Sequence, residues 1–385
     1  MKKFIILLLI GLFIIPISVF AEEEKSELLK NATSGLLMEQ TTGEIIFEKD
    51  KDKKVAVASM TKMVAQTIIL ENIESGKIKW DDIVKVSKNA ADMGGSQIYL
   101  TANEKMSVKD LFKGISMASA NDATVAMAEY IAGTEQAFVK QMNKKVKELG
   151  LKNTQFKNAT GLDEDGHYSS AYDMAVIARN LLNHEEILEF SSVYEDYLRE
   201  DTENKFWLVN TNKLLRFYTG IDGLKTGYTD KAGYCLTATM ERNNMRLLSI
   251  VMGADTKDNR STDTISMMEY GYSSYGTNTI LNKNKYSGTI KINNAKKRKV
   301  KYYLNDDVKL VVKKGTKDVN YKIDKKLYNV KAPLKKNSKV GKLIVTYENK
   351  KYEYDLIVRE DVKKSTYLNT VKNNLKDVIT GSLTK

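Results

Sequence analysis

Between about residues 59 and 182, hydrophobic and polar positions mostly follow a helical period. Apolar runs separated by short turns lie before and after this region. Two apolar runs around a Thr42-Gly43 turn predict a β-hairpin over residues 34–47, and a second hairpin is predicted over 232–253. Helices are predicted between the two hairpins, at residues 59–70, 108–117, 122–132, 138–149 and 170–182. Helices enclosed by antiparallel hairpins indicate an α+β domain with a mainly antiparallel sheet.

Beyond about residue 278 the pattern changes to strict alternation of apolar residues with Lys or Tyr, the period of half-buried strands. Such runs at 299–304, 308–312, 342–347 and 352–358 predict a small all-β domain over 278–360. A helical period returns over 363–383 and predicts an amphipathic helix in a tail of residues 361–385. This helix is too polar to span a membrane, so we expect it to associate with the membrane surface; packing against the β domain is the alternative.

The first 21 residues have the composition of a signal peptide. Lys2 and Lys3 precede an apolar run over 4–20, and Ala21 ends a small-residue cleavage pattern. Cleavage after Ala21 leaves a catalytic domain of residues 22–277 outside the cytoplasm, whereas a retained anchor is the alternative. The expected location is therefore extracytoplasmic, with peripheral attachment to the outer face of the cytoplasmic membrane.

Charge is distributed unevenly along the chain, whose net charge is +12. Residues 1–275 carry 33 basic and 39 acidic side chains, whereas residues 276–385 carry 28 basic and 10 acidic ones. The high pI therefore does not indicate nucleic-acid binding. The basic C-terminal region is instead expected to meet an anionic membrane surface or wall polymer, with a merely solvated lysine-rich surface as the alternative.

The few cysteines and histidines exclude several classes of site. The single cysteine, Cys235, cannot form an intramolecular disulfide, and Cys/His zinc clusters are excluded with it. Two histidines leave little room for a histidine-based triad, so nucleophilic chemistry would need another base. No motif requires a metal or an organic cofactor.

Three short motifs occur in order: Ser59-Met60-Thr61-Lys62, Ser119-Ala120-Asn121 and Lys225-Thr226-Gly227. Residues three apart lie one helical turn from each other on one face, so the Lys62 amine can reach the Ser59 hydroxyl. A serine becomes a strong nucleophile when an adjacent base takes its proton. A lysine serves as that base when burial and a neighbouring positive charge, such as Lys225, lower its pKa. The alternative for Ser59 is a helix N-cap.

The ordered trio resembles the penicillin-binding proteins and class A β-lactamases, for which Ser-x-x-Lys, Ser-Asp-Asn and Lys-Thr-Gly are known patterns. Within that superfamily the chain is similar to the low-molecular-weight D-alanyl-D-alanine carboxypeptidases, the S11 peptidases, over residues 34–272. The resemblance also covers residues 158–163, 169–175 and 210–215. It implies a DD-peptidase-like catalytic domain, an antiparallel sheet with helices on both faces. A β domain and an amphipathic tail after it are typical of the same family.

The resemblance implies a role for each motif residue in hydrolysis at a penicillin-sensitive site. Ser59 is the nucleophile that is acylated, and Lys62 is its proton acceptor. Ser119 passes the proton to the departing D-alanine, while Asn121 holds Lys62 and the substrate amide. Penicillins and other β-lactams are the expected covalent inhibitors, and the peptidoglycan stem peptide is the expected substrate.

The same resemblance assigns the substrate-binding side of the site. Lys225 and Thr226 bind the terminal carboxylate, and Gly227 lets the substrate backbone lie along the strand. The backbone amides of Ser59 and Tyr228 form the oxyanion hole. Many relatives have His at the position of Tyr228, a difference that affects side-chain contacts and leaves the amide in place.

Two further residues are weaker candidates. Arg260 is a candidate for carboxylate binding, with a surface ion pair as the alternative. His167 lies in a loop that matches the family, but loop histidines are usually surface residues without a substrate contact.

The resulting hypothesis is a serine-type D-Ala-D-Ala carboxypeptidase. The alternatives are a DD-endopeptidase, a class A-like β-lactamase and a non-catalytic wall-binding protein. A class A enzyme needs a dedicated glutamate for deacylation, and the Glu-x-x-Leu-Asn pattern is absent: residues 200–204 have Glu203 where leucine is expected.

Overall fold

The computed structural model describes residues 27–366, and the chain divides into two compact units after Ser274. The helices of the first unit are α1 (Lys62–Glu74), α2 (Lys88–Ala91), α3 (Val108–Met117), α4 (Asn121–Ala132), α5 (Glu135–Glu148), α6 (Ala171–Leu181), α7 (Glu186–Ser191), α8 (Leu214–Phe217) and α9 (Lys257–Ser274). Its strands are β1 (Ser34–Glu39), β2 (Ile45–Lys49), β3 (Ile83–Lys85), β4 (Lys105–Ser107), β5 (Glu195–Leu198), β6 (Phe206–Val209), β7 (Ile221–Thr229), β8 (Gly233–Arg242) and β9 (Met245–Ala254).

The main sheet of this unit has five antiparallel strands in the order β2-β1-β9-β8-β7. Successive side chains of a strand point to opposite faces. In β1, Leu36 and Met38 therefore join the large core, whereas Leu37 faces α9, where it lies against Gly271. Strand β9 contacts both α6 and α9. The predicted α+β domain with helices on both faces of an antiparallel sheet is confirmed.

The predicted hairpins and helices of the first unit correspond to observed elements, with one difference at the first motif. The chain forms a 3₁₀ turn over Ala58–Thr61, and α1 begins at Lys62 rather than at Ser59. Helix α9 was not predicted, because its sequence is mostly polar and its buried positions include Arg260 and Asp263. The short pairs β3–β4 and β5–β6 lacked a clear alternating pattern as well.

The second unit is built of strands alone among its described residues. They are β10 (Tyr275–Leu281), β11 (Ser287–Lys291), β12 (Lys299–Leu304), β13 (Val308–Lys313), β14 (Tyr321–Leu327), β15 (Lys339–Tyr347) and β16 (Lys350–Ile357). Five of them form a sheet in the order β11-β12-β16-β15-β14, and β10 pairs with β13. The predicted all-β domain is confirmed. Strand β14 was not predicted, because all of its residues are exposed.

The two ends of the chain were assigned from sequence alone. The predicted signal peptide of residues 1–21 lies outside the described residues, and so does most of the predicted amphipathic helix. Where the described chain enters that segment the helical prediction is wrong, because Lys364 forms a bridge with Ala295 and the Lys363 carbonyl accepts from the Lys296 amide. No helix within residues 27–366 is long and apolar enough to cross a membrane.

Candidate active site

The first motif places a serine and a lysine side by side at the start of α1. The Lys62 Nζ lies 2.8 Å from the Ser59 Oγ, and it donates to Asn121 Oδ1 at 2.6 Å and to the Thr160 carbonyl at 2.7 Å. The side chain of Lys62 is fully buried. Neither the 3₁₀ turn nor α1 has a side-chain cap, so Ser59 is not an N-cap.

The second motif occupies the break between α3 and α4. Asn121 begins α4, and its side-chain amide donates to the Gly94 carbonyl at 2.7 Å, which orients its oxygen towards Lys62. Ser119 has a φ of +61°, a left-handed conformation that costs energy for a residue other than glycine. Its buried Oγ has no hydrogen-bond partner among residues 27–366. The strained turn therefore holds a buried hydroxyl that is available to donate and accept hydrogen bonds.

The third motif lies on β7, the edge strand of the sheet, and contacts the 3₁₀ turn that contains Ser59. A Cβ at Gly227 would lie 2.9 Å from the Val57 carbonyl oxygen and 3.1 Å from the Ala58 Cβ. Only glycine lets β7 approach the turn this closely. The neighbouring Thr226 hydroxyl donates to Thr211 Oγ1 at 2.7 Å.

Three buried basic side chains, Lys62, Lys225 and Arg260, lie at the site. Burial and the charge of Lys225 hold the pKa of Lys62 well below its ordinary value. Burial and the charge of Arg260 lower the pKa of Lys225 to about 7. Desolvation disfavours the charged form of an amine, and a nearby like charge adds to that effect. The arrangement therefore favours a neutral Lys62, as a general base requires, beside a cationic Arg260.

A cleft of about 730 Å³ connects the motifs. The candidate residues on its lining are Ser59, Ser119, Thr226, Gly227, Tyr228 and Arg260. Lys62, Asn121 and Lys225 are buried and do not line the cleft. Lys62 contacts Ser59 of the lining, and Lys225 donates to the Thr226 carbonyl. Tyr228 is half exposed at the rim, where it stacks on Tyr234 with ring centroids 4.3 Å apart.

Arg260 is 5% exposed, and no carboxylate among the described residues forms an ion pair with it. Its Nε also lacks a hydrogen-bond partner there. The alternative that it forms a surface ion pair is therefore wrong. Burial lowers the pKa of Arg260, and the charge of Asp258 on the same lining opposes this shift but forms no ion pair with the guanidinium. A buried guanidinium without an ion-pair partner on the wall of a cleft is suited to an anionic ligand.

His167 is buried, so its description as a surface residue is wrong. Its Nδ1 accepts from the Lys157 amide at 3.2 Å, which leaves Nε2 to donate to Thr61 Oγ1 at 2.8 Å. Burial lowers its pKa to about 4, so the ring is neutral at physiological pH. Through its hydrogen bond to Thr61, His167 stabilises the turn between Ser59 and Lys62. It does not line the cleft.

Sequence reasoning missed two groups at the site. The Thr160 carbonyl accepts from Lys62, and the Thr211 hydroxyl accepts from Thr226. Both lie in stretches that match the family, 158–163 and 210–215, but their spacing from the motifs carries no signal of contact. Within residues 27–366, no cluster of His, Cys, Asp or Glu side chains is suited to a metal ion.

Comparison with known proteins gives two family matches. The family described as D-alanyl-D-alanine carboxypeptidase matches residues 21–256, and the C-terminal domain of penicillin-binding protein 5 matches residues 275–364. The chain is 44% identical to the D-alanyl-D-alanine carboxypeptidase DacF of Bacillus subtilis, with 98% of this chain and 99% of that protein covered.

Crystal structures of related proteins are similar to the chain, and two of them illustrate this. Penicillin-binding protein 5 of Haemophilus influenzae is 32% identical and superposes with a TM-score of 0.70, covering 87% of this chain and 98% of that one. Penicillin-binding protein D2 of Listeria monocytogenes, in its ampicillin-bound form, is 33% identical with a TM-score of 0.57, covering 63% of this chain and 97% of that one.

Proposed function

The chain belongs to the D-alanyl-D-alanine carboxypeptidase family of serine peptidases, and we propose that Ser59 is the residue that is acylated in its reaction. The enzyme is a serine-type D-Ala-D-Ala carboxypeptidase, a hydrolase that acts on peptidoglycan stem peptides. The observation that carries the assignment of Ser59 is its hydroxyl, 2.8 Å from the amine of a fully buried lysine.

In the acylation step the Ser59 Oγ attacks the carbonyl carbon of the penultimate D-alanine. Its proton passes to Lys62 Nζ, which is held in place by Asn121 and the Thr160 carbonyl. When the C–N bond breaks, the proton taken up by Lys62 is relayed through the Ser119 hydroxyl to the nitrogen of the departing D-alanine, so that Lys62 is neutral again and Ser119 is unchanged. The unpaired, buried hydroxyl of Ser119 supports this role. Water then hydrolyses the ester and restores the Ser59 hydroxyl.

The terminal carboxylate of the substrate is bound on the β7 side of the cleft. Lys225, Thr226 and Arg260 supply the positive charge and the hydroxyl that it needs, and Arg260 has no carboxylate partner of its own among the described residues. Gly227 lets the peptide backbone lie along β7. The amides of Ser59 and Tyr228 are the donors for the oxyanion of the tetrahedral intermediate. The Asn121 side-chain amide has two N–H donors: one donates to the Gly94 carbonyl, and the other is the donor proposed for the substrate amide.

The class A-like β-lactamase is the second candidate, and the position of its glutamate argues against it. Glu200 lies in the turn between β5 and β6, is exposed, and pairs with Lys205 at 3.5 Å. Asp258 is the one carboxylate on the described lining of the cleft. A slowly hydrolysed acyl-enzyme with β-lactams is therefore expected. The ampicillin-bound form of the Listeria relative supports β-lactams as ligands of this chain, and we propose that they react at Ser59.

Attachment and location are part of the same proposal. We place the enzyme outside the cytoplasm, released from a signal peptide of residues 1–21 and held at the outer face of the membrane by the amphipathic segment within 361–385. The basic composition of residues 276–385 supports attraction to an anionic membrane surface or wall polymer.

The deciding experiment is mass spectrometry of a synthetic pentapeptide ending in D-Ala-D-Ala after incubation with residues 22–385. Loss of a single D-alanine, abolished by Ser59→Ala, is the expected result. Cleavage of a cross-linked dimer in preference to the pentapeptide would identify an endopeptidase. Retained cleavage in Ser59→Ala would contradict the assignment of the nucleophile.

A further inference from the structure

The second unit has a groove of its own, about 690 Å³ in volume. Its basic lining consists of Lys296, Lys297, Lys299, Lys301, Arg359 and Lys363. The acidic residues on the same lining are Glu360 and Asp361. The groove therefore carries an excess of four positive charges.

The alternation of β12 explains why the cations collect on one face. Lys299, Lys301 and Tyr303 point to the same side, whereas Tyr302 and Leu304 are buried in the core of the unit. The rest of the wall comes from the segment after β16. The hydrogen bond from the Lys296 amide to the Lys363 carbonyl, 2.9 Å long, and the neighbouring bridge from 295 to 364 fix that segment against the loop before β12.

Several acidic residues of this unit pair with lysines outside the groove. Asp355 pairs with Lys339 at 2.6 Å and Glu353 with Lys342 at 2.7 Å, while Asp361 pairs with Lys335 at 3.3 Å. None of the six groove cations has an ion pair with a carboxylate among residues 27–366. The two carboxylates on the lining thus leave four of the six positive charges of the groove uncompensated.

Two further observations concern the positive charges of the groove: one is a repulsion between lysines, and the other is an arginine held in a fixed position. Lys299 stands directly opposite Lys291 in the β11–β12 register, and like charges at such positions destabilise a sheet. The Arg359 guanidinium lies over the Tyr303 ring, 4.4 Å from its centroid, and donates to the Lys283 carbonyl at 2.9 Å. An anion bound in the groove would relieve the repulsion and meet an arginine that is already oriented.

We propose that this groove binds an anionic polymer that carries repeated phosphate groups. Lysine ammonium groups bind phosphate as point charges, and arginine binds it through paired N–H donors. A single phosphate would neutralise only part of the excess charge, whereas consecutive phosphates of one chain pair with several cations at once. The concave shape also suits a chain better than the flat surface of a bilayer. Binding here would hold the enzyme near such a polymer without involving the cleft that contains Ser59.

The test is calorimetric titration of residues 22–385 with long-chain polyphosphate at low salt. Each exposed cation near a phosphate contributes about a factor of five before screening, so two amount to about 25-fold. Screening reduces this, and we expect the affinity of the groove variant, Lys299→Ala/Lys301→Ala, to fall roughly tenfold. The control variant, Lys326→Ala/Lys351→Ala, removes the same charge from exposed positions that do not line the groove. We expect its affinity to change less than about twofold, and inorganic phosphate to bind far more weakly than the polymer.

Three outcomes would overturn the proposal: no binding of polyphosphate, equal losses in the two variants, or inorganic phosphate binding as tightly as the polymer. Vesicles of phosphatidylglycerol distinguish the polymer from the membrane. If the groove variant loses vesicle binding and keeps polyphosphate binding, the groove recognises lipid headgroups instead. Release of D-alanine from the soluble pentapeptide is measured in parallel and is expected to be unchanged in both variants, so a failure of the groove proposal is separate from a failure of the catalytic one.

Discussion

Replacing Lys62 with methionine separates the chemical role of the amine from its structural role. Methionine keeps the length and volume of an unbranched side chain at a position that is fully buried. It removes the nitrogen that lies 2.8 Å from the Ser59 Oγ, and with it the proton acceptor for the nucleophile. We expect acylation by penicillin to slow about 100- to 10,000-fold, the range for loss of a general base. This range corresponds to about 3–5 kcal/mol in activation free energy.

The effect on folding is expected to be smaller. The variant leaves Asn121 Oδ1 and the Thr160 carbonyl without their donor, at a cost of about 1–3 kcal/mol for each buried acceptor that water does not reach. It also removes the desolvation of a buried polar amine, which offsets part of that cost. Lys62→Ala would add a cavity in the core to the same losses.

The assay is the rate of labelling by a fluorescent penicillin under pseudo-first-order conditions, with thermal unfolding measured on the same samples. Ser59→Ala sets the rate without a nucleophile. Lys62→Arg is a second control, because guanidinium keeps its proton near neutral pH and should fail as a base. A folded Lys62→Met enzyme that is acylated within about tenfold of the wild-type rate would show that another group takes the proton.

Four further results are expected. Peptide mapping should place the penicillin label on Ser59, and label on another residue or in Ser59→Ala would contradict that assignment. Because the pKa of Lys225 is about 7, its charged form is lost above that pH, so KM for the pentapeptide should rise as pH increases through 7; a flat profile would show that Arg260 carries the binding alone. Gly227→Ala should reduce acylation at least about tenfold, because its Cβ meets the Val57 carbonyl at 2.9 Å; an unchanged rate would mean that β7 can move aside. Sedimentation of residues 22–385 with anionic vesicles should weaken in high salt and disappear when residues 363–385 are deleted, whereas an unaffected truncation would exclude the tail as the anchor.

The local pattern predicted most of the elements that carry the site. The hairpin over 232–253, the break at Ala118 to Asn121 and the strand at 299–304 correspond to observed elements because each has a clear period and a turn or a polar break at its ends. The spacing of Ser59 and Lys62 also predicted their contact, since residues three apart share one face of a helical turn. The expected effect of Lys225 on the pKa of Lys62 follows from the same motifs and is found in the structure.

The tertiary structure alone decided the rest of the site. Arg260 lies on α9, a mostly polar helix without a periodic signal, and only the packing of α9 on the sheet buries its guanidinium at the cleft. The Thr160 carbonyl and the Thr211 hydroxyl are about 100 and 15 residues from the side chains they contact, so spacing could not assign them. A side chain is buried by contacts with segments that are far apart in the chain, so the local sequence does not determine its burial. Such contacts bury Lys62, as the base role predicted from the motif requires. They also bury His167, which the sequence placed on the surface and which is hydrogen-bonded to Thr61.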